Sequence, residues 1–146
     1  MIGTRPNLSG PAAYRAIEGT GAAPEDFMKM ALDAARLLLM RAEAAIAAGD
    51  RIEKAKALGS AGSVVEFMLG LSGSAPGALS DCLASVYQYA LAAILKGNAG
   101  DDAEAVAAGR VALEELATTW RKIFPDAIAW SDPGDDAAMT ARGDHA

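Results

Sequence analysis

The sequence predicts an all-α protein, an antiparallel up-down four-helix bundle, and three observations support that fold class. The chain has 146 residues, the size of one domain. Hydrophobic residues make up 52% of it but aromatic residues only 5%, so the apolar content is mostly aliphatic, with much Ala, Leu and Met, which favour helix over strand. Apolar residues also recur every three or four positions in four segments joined by short breaks, as expected for a bundle.

The first 23 residues are predicted to form a mobile N-terminal arm. They contain two prolines and four glycines that argue against a long helix, although residues 11–18 can form short helical turns. These residues are Gly3, Pro6, Gly10, Pro11, Gly19 and Gly21.

Two helices follow the arm, and each has a recognisable start signal. Pro24, followed by two carboxylates, suits the first turn of a helix whose pattern stops before Gly49. Asp50 can cap the second helix. Its periodic positions are Ala55, Leu58, Gly62, Val65 and Leu69. The Ser-Gly-Ser-Ala-Pro-Gly run at 72–77 predicts the loop that follows.

The third helix is predicted from apolar positions with three- and four-residue spacing. They are Leu79, Leu83, Val86, Ala90 and Ile94. The pair Gly97-Asn98 suits a left-handed helix end, so we expect this helix to stop there.

The fourth helix is predicted to start at Asp101 or Asp102, either of which can act as its cap. Its inward positions are expected to be Val106, Leu113, Leu116, Trp120 and Ile123. Arg110 and Glu114 are spaced to pair on the outer face, and Pro125 ends the helix.

The remaining residues are predicted to be disordered. From Ser131 onward there are four acidic residues, with Pro133 and two glycines, and almost nothing to bury. The predicted organisation is therefore an arm at 1–23, a bundle domain at 24–126 and a disordered acidic tail at 127–146.

Composition excludes several classes of function. Lys and Arg number 13 against 19 Asp and Glu, a net charge of −6, which is the wrong sign for binding nucleic acid. A single cysteine cannot form an internal disulfide, and no signal-peptide pattern occurs, so we expect a cytoplasmic protein. Charged residues interrupt every long apolar stretch, so no membrane insertion is expected.

The sequence offers no catalytic constellation, so we expect no enzyme activity, no cofactor and no metal. The one histidine, His145, lies in the predicted tail. Cys82 is expected to be a small buried hydrophobe between Leu79 and Leu83. No Glu-x-x-His pair for a di-iron bundle occurs, and the glycines match no phosphate-binding loop.

Surplus apolar residues predict a partner-binding surface instead. The first helix has one apolar stripe sufficient for a bundle, Met28, Leu32, Ala35, Leu39, Ala42 and Ile46, and a second beside it, Phe27, Ala31, Ala34, Leu38 and Ala45. The second stripe either binds a partner or simply widens the core.

Three aromatic side chains are further candidates for that surface. Phe67 falls on the polar stripe of the second helix, where an exposed ring would suggest a contact. Tyr87 and Tyr89 lie about 200° apart around the third helix, so at least one should be near the surface. Together they could form a groove for an amphipathic helix. Alternatively, each tyrosine ring packs under a loop with its hydroxyl in water.

The segment Val86-Tyr87-Gln88-Tyr89 resembles the Leu-Tyr-x-Tyr motif of the flagellar export chaperones known as FliS. The family's motifs continue in order at Ile94-Leu95, Gly97-Asn98, Asp101-Asp102, Leu113-Glu114-Glu115-Leu116 and Trp120. Weaker likeness lies upstream at Ala13-Tyr14-Arg15, Pro24-Glu25, Leu32-Asp33-Ala34-Ala35 and Glu53-Lys54-Ala55. The resemblance covers roughly residues 13–124. The chain departs from the family at Leu32, where a Tyr is usual, at Pro76-Gly77 and at Ala92-Ala93.

This resemblance implies a helical bundle that holds the disordered C-terminal segment of flagellin in the cytoplasm. It would prevent premature polymerisation and help deliver the subunit to the flagellar export gate. The residues expected to bind the partner are Tyr14, Ile17, Phe67, Tyr87 and Tyr89. Of these, Tyr14 and Ile17 in the arm are placed to cover the apolar surface when no client is bound.

Two other functions compete with this interpretation. A homodimeric structural or regulatory bundle could use the second apolar stripe as an isologous interface, and the chain is expected to be a monomer or a weak homodimer. A bundle enzyme with a ligand between its helices lacks the convergent polar cluster that such a site needs.

Overall fold

The computed structural model describes residues 24–125, and this part of the chain consists of four α-helices. They are α1 at Pro24–Ala48, α2 at Arg51–Ser72, α3 at Gly77–Gly100 and α4 at Ala103–Ile123. Each helix packs against the next along the chain, and α4 closes the ring against α1. The predicted four-helix bundle is therefore confirmed, whereas the predicted arm at 1–23 and tail at 127–146 lie outside the described residues.

The starts of α2 and α4 follow the capping chemistry that the sequence predicted. Asp50 accepts a hydrogen bond from the backbone N–H of Glu53 through Oδ1 at 3.0 Å. Asp102 accepts one from the N–H of Ala105, also at 3.0 Å. Each carboxylate satisfies a backbone donor that has no partner inside its helix, which favours the start of the helix at that residue.

The predicted end of the third helix at Gly97-Asn98 is wrong, because α3 continues to Gly100. The left-handed residue is instead Asp101, with φ 50°. Lys54, at the start of α2, donates from Nζ to the carbonyl oxygen of Asn98 at 3.1 Å and to the carboxylate of Asp101. The Lys54 hydrogen bond also holds the pKa of the Asp101 carboxyl below its usual range. The contact with Lys54 therefore stabilises Asp101 in the left-handed conformation. Local preference alone would place that conformation at Gly97, because glycine adopts it without steric cost.

The core is formed from one face of each helix. Its largest fully buried side chains are Leu32, Leu39, Leu58, Val65, Met68, Leu83, Tyr87, Val106 and Leu113. Most of the predicted inward positions are confirmed, but Ala55 is exposed and Ile123 is 50% exposed. Ile123 is the last residue of α4, where the helix has passed the end of the core.

A salt-bridged cluster joins α1 to α4 on the outer side of the core. Arg110 donates through Nε to Glu43 at 2.6 Å and through a terminal nitrogen to Glu114 at 3.0 Å. The predicted pair of Arg110 and Glu114 is thus confirmed. The hydrogen bond to Glu43 is the main reason that the pKa of Arg110 lies above its usual value, so the guanidinium stays charged.

Among residues 24–125, α3 alone is long and apolar enough to cross a membrane by length and composition. Its buried residues Leu83, Tyr87 and Ile94 belong to the bundle core. Packing within the bundle thus accounts for part of the apolar character of α3.

Two buried glycines allow α3 and α4 to approach closely. A Cβ added at Gly97 would lie closer than 3.0 Å to Cγ2 of Val106, and one at Gly109 would lie 2.7 Å from Cβ of Ala93. Neither distance is sterically possible without a shift. The missing side chains therefore set the spacing of this helix pair.

Replacing Gly109 by alanine is expected to destabilise the protein by about 1–3 kcal/mol, because the added methyl meets a Cβ that cannot rotate away. Urea unfolding monitored by circular dichroism measures the change. The matched control is Gly59→Ala, where an added Cβ meets nothing within 4 Å. This control should be stabilised by roughly 0.5–1 kcal/mol. Equal stability of the two variants would contradict the assigned role of Gly109.

A candidate partner-binding groove between the second and third helices

A groove open to solvent runs between α2 and α3 and encloses about 460 Å³. We call it the α2–α3 groove. Its lining residues are Ala55, Leu58, Gly59, Gly62, Ser63 and Glu66 from α2, and Leu91, Ile94, Leu95 and Asn98 from α3. The α2 side is made largely of small residues and the α3 side of large aliphatic ones, so the groove is wide and mostly apolar.

Gly59 and Gly62 give the α2 side its shape. A Cβ at either position would meet nothing within 4 Å, so the packing of the bundle does not require glycine there, unlike at Gly97 and Gly109. A glycine in a helix interior costs roughly 0.5–1 kcal/mol relative to alanine. The hydroxyl of Ser63 donates a hydrogen bond to the carbonyl oxygen of Gly59 at 3.2 Å, so this side chain lies along the helix backbone. The result is a shallow stretch of helix backbone that another molecule can approach closely.

The α3 side supplies the apolar contact area. Leu91 and Leu95 are four residues apart, so both face the same side of the helix. Leu91 is half-buried, whereas Leu95 is 69% exposed. An exposed leucine beside an open groove is the kind of surface that an apolar partner can cover.

Glu66 is the one charged residue that lines the α2–α3 groove. It is exposed and forms no ion pair with another residue of the described part of the chain. The groove therefore combines apolar surface with a single available carboxylate. This is complementary to an amphipathic helix that has a basic residue beside its apolar face.

A second, smaller pocket of about 180 Å³ lies where α1 and α3 begin and α2 and α4 end. Met28, Leu83 and Trp120 are among its lining residues. The indole N–H of Trp120 donates to the carbonyl oxygen of Glu25 at 3.0 Å, which fixes the ring in place. The pocket has room for one or two side chains of a partner but not for a helix.

Tyr87, predicted to contact the partner, lies fully buried in the core. Its hydroxyl donates to the sulfur of Met28 at 2.9 Å, so the side chain reaches from α3 across the bundle to α1. Burial raises the pKa of the hydroxyl above its usual value. In this structure the ring of Tyr87 is not accessible to a partner. Its position in the core indicates that it stabilises the bundle.

Tyr89 is 53% exposed, which confirms that at least one of the two tyrosines is near the surface. It precedes Leu91 by two residues, so the two side chains point about 160° apart around α3. Tyr89 is therefore turned away from the α2–α3 groove.

Phe67 is half-buried against the core rather than exposed, so the expectation of an exposed ring is wrong. It is not among the residues that line the α2–α3 groove. Much of the second apolar stripe of α1 has the same character, since Phe27, Ala31 and Leu38 pack partly buried against the core and Ala45 is buried. The stripe widens the core, which was one of the two alternatives.

Cys82 is exposed, so its predicted burial is wrong. It lies one residue before the buried Leu83 and is turned out of the core. Tyr14, Ile17 and His145 lie outside the described residues. Within residues 24–125, no three His, Cys, Asp or Glu side chains cluster in a way that could hold a metal ion.

The first half of α1 is less exposed than its second half. Between residues 25 and 36 no side chain is exposed, whereas the second half of the helix has several exposed residues. Lys29 and Asp33 are only 3% and 6% exposed although each directly follows a core residue and is turned about 100° from it. They form an ion pair at 2.7 Å. A corner helix of a bundle ordinarily leaves such positions in water.

The groove residues were missed by the sequence analysis, although a signal for them exists. Gly59 and Gly62 lie three apart in a helix, and Leu91 and Leu95 lie four apart beside the core stripe of α3. Neither pair is conspicuous alone. Only the packing of α2 against α3 brings the small residues opposite the leucines.

The chain is similar to known flagellar proteins. A family model described as "Flagellar protein FliS" matches residues 9–127. The flagellar secretion chaperone FliS of Salmonella typhimurium is 30% identical over 108 residues, which cover 73% of this chain and 80% of that protein.

Alanine substitution of the two tyrosines should separate their roles. Tyr87→Ala is expected to lower the free energy of unfolding by about 3–5 kcal/mol, because it leaves a cavity at the centre of the bundle. Tyr89→Ala should change it by less than about 0.5 kcal/mol, because the side chain is half in water. Chemical unfolding of both variants measures the difference, and similar losses would show that the assigned burial is incorrect.

Proposed function

Because the chain belongs to the FliS family of flagellar proteins, we propose that it is a cytoplasmic export chaperone for flagellin. In this proposal it binds the disordered C-terminal segment of flagellin and prevents premature polymerisation. It also assists delivery of the subunit to the flagellar type III export apparatus. The role is one of binding, without catalysis.

The observation that carries the proposal is the open, apolar α2–α3 groove on a bundle of this family. A disordered client loses conformational entropy when it becomes ordered on the chaperone, and burial of its apolar side chains offsets that loss. A shallow groove with exposed leucine supplies apolar area without enclosing the client. Such binding is firm enough to hold the segment and still allows its release for export.

The positions of the candidate residues favour a client that passes around the bundle. Tyr89 is turned away from the groove, and Phe67 is half-buried against the core. One straight helix cannot contact the groove and Tyr89 together. An extended segment with helical turns can reach them in succession.

We propose further that the N-terminal arm covers part of the binding surface when no client is present. Tyr14 and Ile17 are the apolar residues that would make this contact. This cover would compete with the client.

Isothermal titration calorimetry with the C-terminal segment of flagellin from the same source tests the main proposal. We expect one-to-one binding of about micromolar affinity or tighter, with a negative heat-capacity change from apolar burial. Tyr89→Ala should weaken binding about fivefold. Val111→Ala, which also removes an exposed apolar side chain but lies on α4, serves as the control.

Absence of heat and of binding by an independent fluorescence assay would contradict the chaperone function. Light scattering at micromolar concentration would then test the homodimer, for which the exposed Leu37, Met40 and Val111 provide apolar surface.

Deletion of residues 1–18 tests the cover. It is expected to raise the affinity for the flagellin segment about threefold to tenfold, because the competing contact is removed. The double variant Tyr14→Ala, Ile17→Ala should reproduce the gain at full chain length. Unchanged affinity in both variants would rule out the cover.

A further inference from the structure

We propose that the pocket of about 180 Å³ at one end of the bundle is the docking site of this chain's own C-terminal segment, residues 128–132. We call it the end pocket. In this arrangement the indole of Trp130 fills the pocket and the carboxylate of Asp132 lies at the start of α3. The inference concerns contacts within the chain and does not depend on the chaperone function.

The end pocket has the size and the lining that suit one aromatic side chain. An apolar cavity of roughly 150 Å³ in a protein core is large enough to bind benzene, and the end pocket is slightly larger. Trp120 and Phe124 both line it, with their ring centroids 4.8 Å apart and their planes inclined by 40°. A third ring can pack edge to face against such a pair, which adds to the gain from apolar burial.

The chain leaves the bundle at this pocket. Phe124, which lines the pocket, directly follows the last residue of α4, and the next pair, Pro125-Asp126, favours a turn. Residues 127–130 read Ala-Ile-Ala-Trp and are apolar, unlike the acidic sequence after them. From Phe124 to Trp130 the chain spans at most about 20 Å when extended. The short link keeps the indole near the pocket, so closing this loop costs little entropy.

The start of α3 fits the acidic residues that follow Trp130. The cap residue of α3, Pro76, makes no side-chain hydrogen bond, and the first turn of the helix contains no acidic residue. The positive end of its dipole is therefore uncompensated, whereas Glu25 and Asp26 provide that compensation for α1. Because Pro76 also lines the pocket, an indole bound there brings Asp132 close to the start of α3.

The N-terminal arm and a client segment are less suitable occupants of the end pocket. Tyr14 of the arm is followed directly by Arg15, and a cation is disfavoured at the start of a helix. Arg121 and Lys122 in the last turn of α4 add positive charge that also favours an acidic occupant. A client segment must bind from solution, whereas a short link gives the tail an effective concentration in the millimolar range.

Fluorine NMR of the full chain labelled with 5-fluorotryptophan tests the docking directly. The chain contains two tryptophans, and Trp130→Phe assigns their resonances. We expect the Trp130 resonance to differ from that of a labelled free peptide of residues 126–136. It should also be protected from a water-soluble paramagnetic reagent, because the docked ring is covered by the pocket walls.

Filling the pocket should release the tail. Ala75→Leu adds a side chain at a half-buried position of the lining, and it is expected to move the Trp130 resonance to the free-peptide position. Ala78→Leu is the matched control, because it makes the same change at an exposed residue of the first turn of α3 that does not line the pocket. It should leave the resonance unchanged.

Thermal unfolding gives an independent measurement of the same contact. Trp130→Ala is expected to lower the melting temperature by about 2–6 °C, because the apolar burial of the indole is lost. Met139→Ala removes another apolar side chain from the same tail, nine residues further along the chain, and should have no effect.

Several outcomes would overturn the proposal. A Trp130 resonance at the free-peptide position in the unmodified chain would show that the tail does not dock. A shifted resonance that Ala75→Leu leaves unchanged would place the tail at another site. If Tyr14→Ala lowers the melting temperature and Trp130→Ala does not, the arm is the occupant. If added flagellin C-terminal segment shifts the Trp120 resonance while Trp130 stays at the free-peptide position, the client is the occupant.

Discussion

The burial of Tyr87 at the centre of the bundle is the constraint on which much of the remaining structure depends. In this ring of four helices each helix packs against two neighbours, and a large side chain can span the diagonal between helices that do not pack directly. Tyr87 does so from α3 and reaches Met28 on α1 with its hydroxyl. Its burial fixes the rotation of α3 about its axis. That rotation turns Tyr89 outward and places Leu91 and Leu95 along the α2–α3 groove.

Glycine has two opposite uses in this bundle. Gly97 and Gly109 are buried where α3 and α4 approach too closely for a side chain, so they contribute to stability. Gly59 and Gly62 have free space around them and reduce helix stability instead. Residues that lower the stability of a helix without improving its packing are common on protein surfaces that bind a partner. The contrast distinguishes glycines that the packing of the bundle requires from glycines that it does not require.

Polar contacts between distant parts of the chain hold the helices in register. Lys54 joins the start of α2 to the turn between α3 and α4, and Arg110 joins α4 to Glu43 of α1. Because the Asp101 carboxyl has a lowered pKa in the folded state, its contribution to stability is present at neutral pH. That contribution is lost as the pH falls through the folded-state pKa. The bundle therefore combines an apolar centre with ionic contacts near its periphery.

The sequence by itself determined the four helices, the caps at Asp50 and Asp102, and most core positions, because these depend on neighbours within one or two helical turns. Its family motifs also indicated a flagellar export chaperone. The tertiary structure alone decided that Tyr87 is buried, that Phe67 is half-buried, that Cys82 is exposed and that α3 continues past Gly97. It alone also brought Gly59 and Gly62 opposite Leu91 and Leu95. The physical reason is that helical periodicity determines which residues share a face but not how far each helix rotates toward its neighbours. That rotation depends on contacts between residues far apart in the chain.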